Sequence, residues 1–140
     1  MEILWKRQNV FYQRTKMNIL VDFYCDNNLG DDLMGEALID FLSERGHKCF
    51  FQKRDLFVMP EFIYKKSVII IEKVSERIVH ENAIELYIKI GGSMFPHGTN
   101  KEGIYRYYEL IKILNLKKMK MKVCIINCNI GPLRKKIGLY

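Results

Sequence analysis

The chain has no C-x-x-C pair, no G-x-G-x-x-G loop, and no stretch approaching the roughly 20 apolar residues that cross a bilayer. The first absence removes the ligand spacing of a structural metal site, and the second removes the dinucleotide-binding fingerprint. The third leaves no transmembrane candidate. Met1 to Lys16 carries Lys6, Arg7, Arg14 and Lys16 among apolar residues but lacks the unbroken apolar core of a secretory signal. A cytoplasmic location is therefore expected. Residues 1–18 read as a basic extension, with Trp5 and its basic neighbours as a weak contact to the inner membrane face. No internal repeat, low-complexity tract or linker is visible, so residues 19–140 read as one domain. Cysteine is dispersed: Cys25, Cys49 and Cys124 sit in apolar, strand-like runs, with Cys128 further on, as expected of reduced thiols acting as small buried hydrophobes.

Acidic residues run out as well. After Glu109 there is none, whereas Lys112, Lys117, Lys118, Lys120, Lys122, Arg134, Lys135 and Lys136 follow, within a chain of net charge +7. Such a segment can attract phosphorylated small molecules, lipid headgroups or nucleic acid, or it can be a solvated helix face. Aromatic residues do not interleave with it and no recognition motif accompanies it, so a nucleic-acid partner is not expected. What is present in quantity is core-forming material: 49% of the 140 residues are apolar, enough for a folded domain of this length without disulfides or metal.

The pattern alternates. Ile19–Cys25 is β-branched and aromatic and reads as a strand ending in a polar turn. Leu33, Met34, Ala37, Leu38, Phe41 and Leu42 recur at helical spacing, with Asp31 or Asp32 as a cap and Gly46 as a terminator. His47–Gln52 is a second strand, completing a β-α-β unit with parallel strands. Val58–Lys66 reads as a connection, Ser67–Glu72 as a strand, Val74–Ala83 as a helix, and Leu86–Ile90 as a strand ending at Gly91 and Gly92. A loop from Ser93 to Gly103 follows, then a helix marked by Ile104, Tyr107, Leu110, Ile111 and Leu114, then the strand Val123–Asn127. The expected class is α/β: a Rossmann-like parallel sheet with flanking helices.

Ligands in such sheets sit at the carboxyl ends of strands, which singles out three glycine-bearing loops: Asn27–Asp32, Gly91–Asn100 and Asn127–Pro132. Asp31 and Asp32 would repel a phosphate but suit sugar hydroxyls, by accepting their protons in hydrogen bonds or acting as a general base. The same residues would also serve as an ordinary turn and helix cap. His97 is the only histidine in such a loop and has no acidic neighbour in sequence, as a bystander would not.

Three segments in order, Asn28-Leu29-Gly30-Asp31 with the helix to Leu42, Ile90-Gly91-Gly92-Ser93-Met94-Phe95, and Asn129-Ile130-Gly131-Pro132, resemble the amino-terminal half of the polysaccharide pyruvyl transferase family. The resemblance covers Ile19 to Leu133 and implies half of a fold like that of the two-domain GT-B glycosyltransferases. It implies transfer of pyruvate from phosphoenolpyruvate, the donor substrate, onto two hydroxyls of one sugar in a cell-surface polysaccharide or its lipid-linked precursor, without a cofactor or metal. Asn28, Gly30, Asp31, Gly91, Gly92 and Ser93 would be substrate-binding positions, with Asp31 as the hydroxyl-recognising group or base and His97 alongside. The family's second domain, which supplies much of the donor site, is expected to be absent here. The chain would then be inactive alone and act with a second polypeptide or as a homo-oligomer, using Met94, Phe95 and Ile104–Tyr108 as an apolar contact surface. A non-catalytic sugar-binding or protein-interaction module is the alternative.

Overall fold

The computed structural model describes residues 16–25, 28–54, 58–91, 93–95, 100–126 and 129–130, with side chains left aside at 93–95, 100–106 and 129–130. Trp5, Gly92, His97 and the Gly131-Pro132 turn lie outside the described residues.

Strand β1 (Asn18–Asp22) leads into helix α1 (Leu29–Glu44), and β2 (Lys48–Gln52) into the short α2 (Glu61–Lys65). Then come β3 (Val68–Ile71), α3 (Glu76–Glu81), β4 (Ile84–Ile90), β5 (Ser93–Phe95), α4 (Asn100–Lys118), β6 (Lys122–Ile126) and β7 (Asn129–Ile130). Gly46 stops α1 as its position suggested. At φ +77° it lets its own N–H reach Ser43 O at 2.9 Å and the His47 N–H reach Leu42 O at 3.1 Å, satisfying two carbonyls of the last turn. Ser75 starts α3 by accepting the Ile78 N–H at 3.3 Å.

Five strands form one parallel sheet in the order β3-β2-β1-β4-β6. Side chains alternate across it. Ile19, Val21, Phe23, Cys49, Phe51 and Ile88 pack with Ile39 and Leu42 of α1 and Ile63 of α2. Leu20, Phe50, Tyr87 and Ile84 face the other way, onto Val79 of α3 and Leu116 of α4. Helices thus cover both faces, as the alternating pattern required. Gly35 lets α1 approach closely: a Cβ there would come within 2.7 Å of the Phe23 ring.

Three local expectations need correcting. Val58–Lys66 contains helix α2, because Pro60 can precede a first turn and Ile63 fills a gap in the core. Ser93–Phe95 is strand, paired in parallel with β7 through the register Ser93 to Asn129, a contact that no local pattern encodes. Helix α4 starts at Asn100, ahead of Ile104. The apolar repeats of α1 and α4 do form helices, and only part of each repeat faces the core. In α1 the buried residues are Asp31, Gly35, Ile39 and Leu42, while Leu33 and Phe41 are exposed; in α4 Tyr107, Leu110 and Leu114 face solvent.

Candidate functional site

The chain runs outward from β1 through β2 to β3, then returns to lay β4 on the other side of β1. Between the carboxyl ends of β1 and β4 the connections diverge, which is where open α/β sheets form a ligand crevice. The loops bearing Asn28 and Gly91 both open there.

Asn28 is the N-cap of α1. Its Oδ1 accepts the Asp31 N–H at 3.5 Å, and its Nδ2 donates to Asp31 Oδ2 at 2.6 Å, so cap and third helical residue hold each other. Asp31 is only 5% exposed because its carboxylate turns back toward the β4 loop. A Cβ on Gly91 would sit 2.5 Å from Asp31 Oδ1 and 2.7 Å from Met34 Cε, and Gly91 also has φ +67°. Glycine is therefore demanded there twice, by space and by backbone conformation. The Gly91 N–H donates to Ile126 O at 3.1 Å, and the Ser93 to Asn129 pairing continues that link, so the turn after β6 begins at the same rim. Gly30 differs: the nearest atom to a Cβ there is Asn28 Oδ1 at 3.6 Å, an ordinary contact. Asp32 sits beside this clasp. Burial, and then the charge of Asp31, push its carboxyl above the ordinary value, and its Oδ1 is buried with no hydrogen-bond partner among the described residues.

Across the sheet, under α4, lies a second charged assembly. Asp22, the last residue of β1, is the register partner of Lys89 on β4 and is 4% exposed. Arg54 pairs with its Oδ1 and the Tyr87 hydroxyl donates to its Oδ2. Lys112 Nζ reaches Oδ2 at 2.6 Å and Lys89 Nζ stands 3.8 Å away. Lys89 also meets Glu109 Oε2 at 3.2 Å. Burial alone would raise the Asp22 carboxyl, but Lys112, Lys89 and Arg54 outweigh it and hold the group well below the usual carboxylate range. Burial, reinforced by Asp22, keeps the Tyr87 phenol far above its ordinary value, so it stays a neutral donor. Sequence reasoning missed this cluster. Its signal was a lone aspartate at the end of ILVD and a lone lysine within LYIKI, charges inside runs otherwise suited to a buried parallel strand.

Of the expected site residues, Asn28, Asp31 and Gly91 meet directly, Gly30 lies in the first turn of α1, and the Ser93 backbone continues the same rim. Among the described residues no three His, Cys, Asp or Glu side chains converge as metal ligands, and no helix is long and apolar enough to cross a membrane.

A doubly wound parallel sheet with its Asn28 and Gly91 loops joined beside β1 and β4 defines a Rossmann-like α/β domain. Residues 28–140, from the Asn28 cap onward, match the family described as Polysaccharide pyruvyl transferase, and the chain belongs to that family. No curated protein and no solved structure shows significant similarity to it.

Proposed function

We propose that the chain carries the sugar-handling side of a pyruvyl transferase that moves pyruvate from phosphoenolpyruvate to a saccharide acceptor. The supporting observation is the Asn28–Asp31–Gly91 clasp, which fixes a carboxylate at the crevice of a domain belonging to this family. The chemistry needs the enol carbon protonated, the resulting cation attacked by one hydroxyl oxygen, phosphate expelled from that same carbon and replaced by the second hydroxyl, and both hydroxyl protons taken up by a base. Asp31 is assigned to recognise or deprotonate the acceptor hydroxyls. Asn28, Gly30, Gly91, Gly92, Ser93 and His97 complete the acceptor side, and a second polypeptide or a GT-B-like second half supplies the donor side. The activity belongs to the cytoplasm, close to the inner membrane face, in exopolysaccharide assembly.

Phosphate release from phosphoenolpyruvate in the presence of a polysaccharide acceptor, with and without a candidate second polypeptide, tests this. The combined system should release phosphate, and Asp31→Asn should slow release by about 10²–10⁴-fold, the range for loss of a general base. Release unaffected by Asp31→Asn would remove the assigned role. A second reading, a non-catalytic saccharide-binding module, is favoured by the burial of Asp31 behind its Asn28 contact. It predicts acceptor binding without phosphate release under any combination.

A further inference from the structure

Helix α4 is inverted for a helix flanking a sheet. At 3.6 residues per turn, Glu109, Lys112 and Leu116 share one side, and these are the residues that reach the Asp22 cluster and the core. Tyr107, Leu110 and Leu114, spaced i, i+3, i+7, occupy the opposite side and are 63%, 48% and 54% exposed. Lys117 and Lys118 extend that outer side into the last turn. From Tyr107 to the end of the helix the only carboxylate is Glu109, and it turns inward to Lys89. The outer face is therefore apolar and cationic, with no anion on it.

Two neighbouring features sharpen this. Where the helix ends, Lys118 together with Lys120 and Lys122 lines an open groove of about 660 Å³ that also includes Ile84, Glu76 and Glu85. None of Lys117, Lys118, Lys120 and Lys122 makes an ion pair among the described residues. Helix α1, on the other face of the sheet, is the counter-case: its exposed Leu29, Leu33 and Phe41 stand among exposed Asp40 and Glu44. Of the two long helices, α4 is the one whose outward apolar side chains stand among positive charge.

We propose that the outer face of α4 docks the chain on an anionic phospholipid surface. Tyr107, Leu110 and Leu114 enter the boundary between headgroups and acyl chains, and Lys117, Lys118, Lys120 and Lys122 meet the lipid phosphates with their stems lying along the apolar stripe. A second copy is a poorer occupant. Two α4 faces brought together would leave the lysines of both without an anion to meet, and an α4 face on an α1 face is a head-to-tail contact that does not close into a dimer. The inference stands apart from the pyruvyl-transfer reading.

Flotation of the full chain with vesicles of phosphatidylcholine alone, or of phosphatidylcholine containing phosphatidylglycerol, tests it. Binding should require the anionic lipid and weaken as salt is raised. Lys117→Gln with Lys118→Gln should lower partitioning by about fivefold per lysine. Leu110→Ser with Leu114→Ser, both exposed positions, should abolish binding while the melting curve stays in place. Equal binding to neutral vesicles, no binding, or binding indifferent to both pairs of variants overturns the proposal. So does a concentration-dependent oligomer in sedimentation that Leu114→Ser disperses while vesicles remain unbound, because the face would then be an interface between copies.

Discussion

Asp22 and Asp32 stand on opposite faces of one sheet rim and meet opposite treatment. Under α4, Asp22 is enclosed by Arg54, Lys112 and Lys89 and accepts the Tyr87 hydroxyl, so both its oxygens are engaged. At the start of α1, Asp32 has another carboxylate as its neighbour and a buried oxygen with no hydrogen-bond partner among the described residues. The first arrangement neutralises a charge that the fold has buried; the second leaves one crowded and under-bonded. Such a deficit costs stability, and proteins retain deficits of this kind mainly where a ligand or a reaction uses them. Glu109 Oε2 on the α4 side is also buried without a hydrogen-bond partner among the described residues, but Lys89 stands 3.2 Å from it, so the α4 side differs in having its charge compensated. The crowded side of the rim is therefore the side to which function is assigned, and the compensated side is its support.

The comparison breaks most visibly at Asp22. Asp22→Asn keeps the shape but removes the charge that Arg54, Lys89 and Lys112 share, and the expected loss is about 3–5 kcal/mol, typical when one partner of a buried pair is removed. Denaturant unfolding at neutral pH measures it. Because the folded carboxyl lies below its ordinary 3.8, the contribution is fully present above that value and drains away as the pH falls below it. The wild-type chain should lose stability steeply in that acid window and Asp22→Asn should not. A loss under about 1 kcal/mol would show the cluster to be dispensable, with hydrophobic packing alone setting that face.

Two glycines sharpen the contrast on the α1 side. Gly91→Ala places a methyl 2.5 Å from Asp31 Oδ1 at φ +67°, so the clasp must open, and about 1–3 kcal/mol of stability should go with it. Gly30→Ala meets nothing nearer than 3.6 Å and should shift stability by no more than about 0.5 kcal/mol. If Gly30→Ala nonetheless impairs acceptor binding at an unchanged melting temperature, that glycine serves ligand approach, whereas Gly91 serves architecture. Equal destabilisation by both would mean that the clasp does not discriminate between the two loops.

Much of this frame was legible in the residues. Gly30 and Gly91 marked the loops after two strands and Gly46 the end of a helix, and the alternation of strands with helical spacing gave a parallel sheet. The Asn28 and Gly91 loops could be placed on one rim because strand direction decides which ends face together. What escaped was non-local. Periodicity locates a helix but does not say which of two apolar stripes meets the sheet, and in α4 the ionic pairing of Glu109 and Lys112 with strand residues decides it. The β5–β7 ladder is likewise fixed by residues more than thirty positions apart in the chain. Asp31 was legible as a cap or a functional carboxylate; its contact with the Gly91 loop was not, because only the folded sheet brings the two segments together.

The smallest expected effect has the opposite sign from the rest and falls on Asp32. Burial and the Asp31 charge raise its folded carboxyl above 3.8, so the folded chain holds that proton more tightly than the unfolded chain does. Stability then rises as the pH is lowered toward 3.8 from above, the reverse of the Asp22 contribution, which acts below that value. Asp32→Asn removes the penalty and should stabilise the chain at neutral pH by on the order of 0.5 kcal/mol, a gain limited by losing a negative charge at a helix amino end. The difference from wild type should vanish below pH 3.8, where both side chains are neutral. Paired thermal melts at neutral and acid pH decide it. A destabilised Asp32→Asn at neutral pH would mean that the helix end values that charge more than Asp31 opposes it, and the functional assignment of this side would lose its energetic basis.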